Sequence, residues 1–332
     1  MAQRETTVKL QRVAQWLEKN DLDAVLLERR PNFAWVTNGR DNHVPNNTQQ
    51  GVAGMLVTAD ERLCVTSEIE APRMREEELA GTGIDVVAVP WHDRKAATIK
   101  LIELMAGRRV AADADPLGLG LRPLPADFAE LRWSLTEDEV TRYREGARRV
   151  ARAMEEACMS LKFGDSEHEI AGLLDYHVRR AGCTPTVTLV AADDRVGRFR
   201  HPIPTKKVVE HYAMLVGCAA YKGLIASATR FVCFRPMTEL EDRVQSLAHI
   251  DAAVNLSTQA GRTLGELFFI LQRAYADQGF DNEWRNHHQG GPTGYRNREL
   301  IAYPGSDVKA RANQAFAWNP SVPGAKSEDT IL

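Results

Sequence analysis

HHQGGPTGY, residues 287–295, sets two adjacent histidines before a glycine pair, a proline and a turn. Adjacent histidines invite a metal reading, yet their spacing argues against joint chelation. Neighbouring side chains on a strand point to opposite faces, and on a helix they diverge by about 100°. The stretch therefore reads in one of three ways: a metal site completed from elsewhere, the remains of one, or a pocket wall that works without metal. What lies on either side of it in the chain narrows the choice.

Downstream, QAFAWNPSVPGAKSEDTIL has the look of a closing hairpin. Upstream, a long helix is expected from about Glu137 to Leu161, opened by a capping box of Thr136 with Glu139. DSEHEIAGLLDYHVRRAG is a second helix, capped by Ser166 with Glu169 and stopped by Gly182. TPTVTLVAA is a strand, and YAMLVGCAAYKGLIASATRFVCF is a β-rich run turning at Tyr221 to Gly223. Thr238 with Glu241 is expected to cap a third helix, and Thr263 to open a fourth.

The first half has a different grammar. Helical and strand signals alternate from VKLQRVAQWLEKN and DAVLLE through the hairpin-like GMLVTADERLCVTS. The charged helix EIEAPRMREEELAG, the β-rich IDVVAVPW, the helix ATIKLIELMAG and the strand RRVAADA follow. This is an α/β unit. PLGLGLRPLP then breaks the pattern with three prolines and two glycines. The domain boundary is placed near Trp133, giving domains 1–133 and 134–332.

Composition is that of an ordinary globular protein: 332 residues, 44% hydrophobic, 26% charged, net charge −3. Basic residues are interspersed with acidic ones, so nucleic acid is not an expected partner. No run approaches 18 apolar residues, so no membrane span is expected. Five scattered cysteines without CxxC spacing fit reduced thiols, and a cytoplasmic location is expected.

Four stretches in order carry a family resemblance: RFRHPIPTKKVVEHYAMLV from Arg198, GLIASATRFVCF ending near Thr229-Arg230, HHQGGPTGYRNRE, and SEDTIL. Together with the element order, they make the second half resemble the pita-bread fold of the creatinase, prolidase and aminopeptidase P family. The first half resembles that family's creatinase-type N-terminal domain. The resemblance implies an α/β (α+β) chain of two domains, a small-molecule or short peptide-like substrate, and a homodimer in which one subunit's N-terminal domain closes over its partner's pocket. By that analogy Arg40, Asn42 and His43 are candidate pocket residues. The chain stops at Leu332, just after the Glu-Asp-Thr triplet, where the family's strand usually continues.

The departures are as informative as the matches. Metallopeptidases of this family hold two divalent ions with two aspartates, a histidine and two glutamates. The corresponding positions here are Val216 or Gly217, Ser227, Gly291, Asn319 and Glu328. Two adjacent hard cations need several anionic oxygens, and only Glu328 supplies one. No metal site and no cofactor are therefore assigned. A single ion on one of the paired histidines with His201 and Glu328 is the metal-dependent alternative.

Creatinase, the family member that hydrolyses a C–N bond without metal, resembles this chain in the loop histidine, His201 here. A neutral imidazole takes a proton from water and returns it to a leaving nitrogen, and a carboxylate can orient it. The catalytic candidates are thus His201 and Glu328. The substrate-binding candidates are His287, His288, Arg230, Tyr295 and Glu299. Arg230 has an equally good reading as an ion pair with Glu328 or Asp329, and Arg298 with Glu299 reads as a solvated edge. The expected function is metal-independent hydrolysis or lysis of a C–N bond in a small polar amide, amidine or amino-acid-like compound. The alternatives are a non-catalytic pita-bread binding protein and an Xaa-Pro metallopeptidase.

Overall fold

The computed structural model describes residues 2–332. The chain divides into two compact units, residues 1–132 with 136–139, and residues 133–135 with 140–332.

The first unit is built on six strands: β1 (Ala24–Arg29), β2 (Gln50–Val57), β3 (Arg62–Ser67), β4 (Asp85–Val89), β5 (Val110–Ala112) and β6 (Arg122–Pro123). Their order in the sheet is β4-β3-β2-β1-β5-β6. The β1–β2 and β2–β3 pairs are antiparallel, and the outer pairs parallel, so the sheet is mixed. The expected charged helix after β3 is shorter and less regular than its sequence suggests. A single turn, Ala71–Arg73, runs into a wider π turn, Met74–Glu78.

The second unit carries β7 (Thr184–Ala192), β8 (Tyr212–Tyr221), β9 (Leu224–Cys233), β10 (Gly290–Thr293), β11 (Ala315–Trp318), β12 (Ser321–Val322), β13 (Ala325–Lys326) and β14 (Asp329–Ile331). Six of them form one antiparallel sheet in the order β10-β11-β14-β9-β8-β7, and β12 pairs with β13 separately. The last strand is thereby inserted between β11 and β9. Tyr221 and Leu224 close the β8–β9 hairpin, with Lys222 and Gly223 at φ 48° and 79°, as a tight two-residue turn requires.

Long helices flank this sheet: Glu137–Ser160, Glu167–Arg180, Thr238–Ser257 and Leu264–Asp277. Thr136, Ser166 and Thr263 each make the reciprocal bonds of a capping box with the glutamate three residues on. Thr238 does not. Met237 takes the capping position, without a side-chain bond, and Thr238 is already helical. Val216, Phe316 and Trp318 pack with Leu247, Ile250, Val254 and Leu271 in the main apolar cluster of this unit.

Candidate functional site

His201 lies in the loop after the short helix Asp194–Arg198, and its neighbours fix it from both sides. Arg200 pairs with Glu283 and donates to the Val322 carbonyl at 2.8 Å, while the Pro202 carbonyl accepts from the Val190 N–H at 3.2 Å. His287 follows a short 3-10 turn, Glu283–Asn286, with extended φ and ψ. Gln289, fully buried, ties this segment down: its amide donates to the His287 carbonyl at 2.6 Å and its oxygen accepts from Tyr275 Oη at 2.9 Å.

The result brings all three histidines together. His287 Nε2 lies 3.0 Å from His201 Nε2, and one ligand atom from each of His201, His287 and His288 falls within 4.8 Å of the others. The rings of His287 and His288 lie 4.6 Å apart and 34° from parallel. The divergence expected of adjacent residues does not occur, because both precede β10 and neither sits in a regular strand or helix. His287 Nδ1 faces Ser321 Oγ at 3.3 Å, and His288 Nδ1 is buried with no partner among the described residues.

All three rings are held neutral near pH 7. Burial lowers His201 below the usual histidine range, helped by the charge of Lys326. Burial and then Lys326 hold His287 down to about 2; burial and then Arg298 hold His288 down to about 4.

Glu328 is differently placed from the expectation that it orients His201. Its carboxylate lies between two cations, Arg298 Nη2 at 2.6 Å and Lys326 Nζ at 2.7 Å, with Thr229 Oγ1 at 3.5 Å. Burial pushes its pKa up, but Lys326 and Arg298 outweigh this and hold it at about 2. The hydrogen-bond partner of His201 is instead His287.

Arg230 takes the ion-pair option. Its guanidinium makes a two-pronged pair with Asp329, at 3.1 and 3.0 Å. Arg298, read from the sequence as a solvated edge, is the arginine at the site, 12% exposed with a buried Nε that has no partner. No local signal reveals it, since its partner Glu328 is 30 residues away. Tyr295 is buried, and its Oη accepts from Arg142 at 3.1 Å; Glu299 accepts from the Tyr295 backbone N–H at 3.1 Å. These contacts brace the turn. Asn42 is fully buried in the first unit, donating to the carbonyls of Glu28 and Ala53, and His43 pairs with Asp41.

The family model for metallopeptidase family M24 matches residues 141–332, and that for the creatinase/prolidase N-terminal domain matches residues 9–145. The chain belongs to metallopeptidase family M24. The creatinase/prolidase resemblance and its pita-bread fold are thus borne out. Among solved structures, the prolidase from Pyrococcus horikoshii OT3 shares 20% identity over 98% of this M24 chain and 94% of its own, with a TM-score of 0.78. The X-Pro aminopeptidase from Thermotoga maritima MSB8 shares 19% identity over 97% and 94%, with a TM-score of 0.77. The N-terminal domain of FACT complex subunit SPT16 from Cicer arietinum (chickpea) shares 12% over 100% and 94%, with a TM-score of 0.73. No curated protein matches the chain.

M24 membership implies an ion pair, and the residues at the five ligand positions do not fit one. Val216 is buried in the apolar cluster beside Trp318, and Ser227 Oγ donates to Cys218 Sγ at 3.1 Å. Gly217 has no room for a larger residue without movement, since a Cβ there would meet Met154 at 2.8 Å. Gly291 has φ +141°, and a Cβ would meet the Leu300 carbonyl oxygen at 2.7 Å. Asn319 is neutral, and both oxygens of Glu328 are already engaged by side-chain cations. In this M24 member, Arg298 and Lys326 neutralise the one carboxylate that is left. No helix among the described residues is long and apolar enough to cross a membrane.

Proposed function

We propose that this M24 protein is a hydrolase or lyase acting on a C–N bond of a small polar amide, amidine or short peptide-like substrate, without the family's ion pair. The observation that carries this reading is the convergence of three neutral histidines beside ligand positions that cannot hold two cations. His201 is the proton-transferring group: it is the exposed member of the cluster and the least encumbered. Its neutral ring takes a proton from water as the nucleophile forms, and returns it to the departing nitrogen. His287, bonded to His201 at 3.0 Å and to Ser321 at 3.3 Å, orients that ring. The unpartnered His288 Nδ1 and Arg298 Nε are available to a substrate oxygen or carboxylate. Glu328 acts indirectly, by fixing Arg298. By analogy with the family, we infer a cytoplasmic homodimer.

The test is turnover of a panel of small amides, amidines and dipeptides in the presence of EDTA. Activity is expected to survive chelation and to fall about 10²–10⁴-fold in His201→Ala. Substrate-like compounds that stabilise the protein thermally without turnover would instead indicate a binding protein. Family membership and the prolidase-like fold favour a second reading, an Xaa-Pro metallopeptidase. That reading requires about two equivalents of bound divalent metal per chain and Xaa-Pro cleavage lost to EDTA; this outcome would replace the first.

A further inference from the structure

We infer that His201, His287 and His288 form a capture site for one zinc-like divalent cation, and that occupancy shuts off proton transfer by His201. The inhibitory half rests on the proton-transfer reading above; the binding half does not.

The geometry is that of a three-nitrogen site. Zinc binds imidazole nitrogen at about 2.0–2.1 Å, so two ligands on a tetrahedral ion lie about 3.4 Å apart. The two Nε2 atoms of His201 and His287 are 3.0 Å apart, and the ligand atoms of all three rings lie within 4.8 Å. Small side-chain movements suffice to place them around one ion. The two facing Nε2 atoms share a single proton in the hydrogen bond, and a cation takes the place of that proton.

The surroundings support the same reading. Ser321 Oγ, 3.3 Å from His287 Nδ1, holds the second nitrogen of that ring as outer partners of metal-bound histidines do. His288 Nδ1 is buried without a partner. His201 is exposed, which leaves a solvent-facing path and an open coordination position. Glu328 is not a ligand, because Arg298 and Lys326 already occupy it, and it offsets one of those two charges. An all-imidazole set selects zinc, copper, nickel or cobalt over magnesium and calcium. This site is distinct from the family's carboxylate-rich centre, sharing none of its five ligand positions.

The experiment is calorimetric titration of the purified full chain with zinc chloride, with cobalt(II) absorption as a geometric probe. One equivalent is expected, with tetrahedral cobalt bands and no response to magnesium. His288→Ala and His287→Ala should each weaken binding at least tenfold, and Ser321→Ala about tenfold. Circular dichroism checks that the variants are folded. Turnover should fall in proportion to occupancy and return with EDTA. Absence of binding, or binding indifferent to both histidine variants, overturns the site and leaves the hydrolase reading intact. Binding with rising turnover overturns the proton-transfer role of His201 and leaves the site intact.

Discussion

Two buried charge clusters, one in each unit, are mirror images. In the first unit the ammonium of Lys9 lies between two carboxylates, Glu5 at 2.6 Å and Glu139 at 2.9 Å, and donates its third bond to the Trp35 carbonyl at 2.6 Å. In the second unit the carboxylate of Glu328 lies between two cations, Arg298 and Lys326. Lys9 has three donors and three acceptors, so it is complete. The Glu328 cluster is not: Arg298 Nε and the nearby His288 Nδ1 remain buried without partners. Buried polar atoms left unmatched are costly in a purely structural site. In the reading proposed above those atoms are kept for a ligand, whereas the Lys9 ammonium has no donor to spare.

The sharpest way to break the comparison is to remove each central charge. Lys9→Met leaves two buried carboxylates facing each other and should cost about 3–5 kcal/mol in denaturant unfolding. Adding Glu5→Gln and Glu139→Gln should recover most of that loss. Glu328→Gln removes the charge but keeps an acceptor, and should cost about 3 kcal/mol while also lowering turnover. If the triple variant is no more stable than Lys9→Met, charge is not what that cluster balances.

A smaller effect tests the first unit alone by pH. Burial, and then the charge of Asp113, raises the Glu28 carboxyl to about 7, against an ordinary value of 4.5. The folded state thus keeps its proton longer than the unfolded one. The stability this contributes is present below about pH 4.5 and drains away as pH rises through 7. Melting of the first unit should weaken between pH 5 and 8, and Glu28→Gln should flatten that slope, gaining about 2 kcal/mol at pH 8. The smallest effect is expected at Arg230. Its pair with Asp329 is partly exposed, so Arg230→Ala should change stability by less than about 1 kcal/mol and leave turnover unchanged. A large loss of turnover would return Arg230 to the site.

How far the sequence reveals this depends on distance along the chain. Ser166 with Glu169 and Thr263 with Glu266 are legible because both partners fall within one helical turn. Thr238 looks identical but is one residue inside its helix, a shift the pattern does not encode. The strands and their order follow from the resemblance. The approach of His201 to His287, 86 residues apart, does not follow from any local pattern. The same holds for the pairings of Arg298 and Arg230: their carboxylates lie 30 and 99 residues away, just before β14 and on it.

Gly291 carries a consequence of its own. With its positive φ and the Leu300 carbonyl pressed against it, this position accepts no side chain unless the neighbouring segment retreats. A histidine placed there would first have to push back the backbone of Leu300 and Ala302. Single carboxylates introduced at Ser227 or Asn319 leave that position closed, so any engineering of metal chemistry into this chain must begin from the histidines it has now.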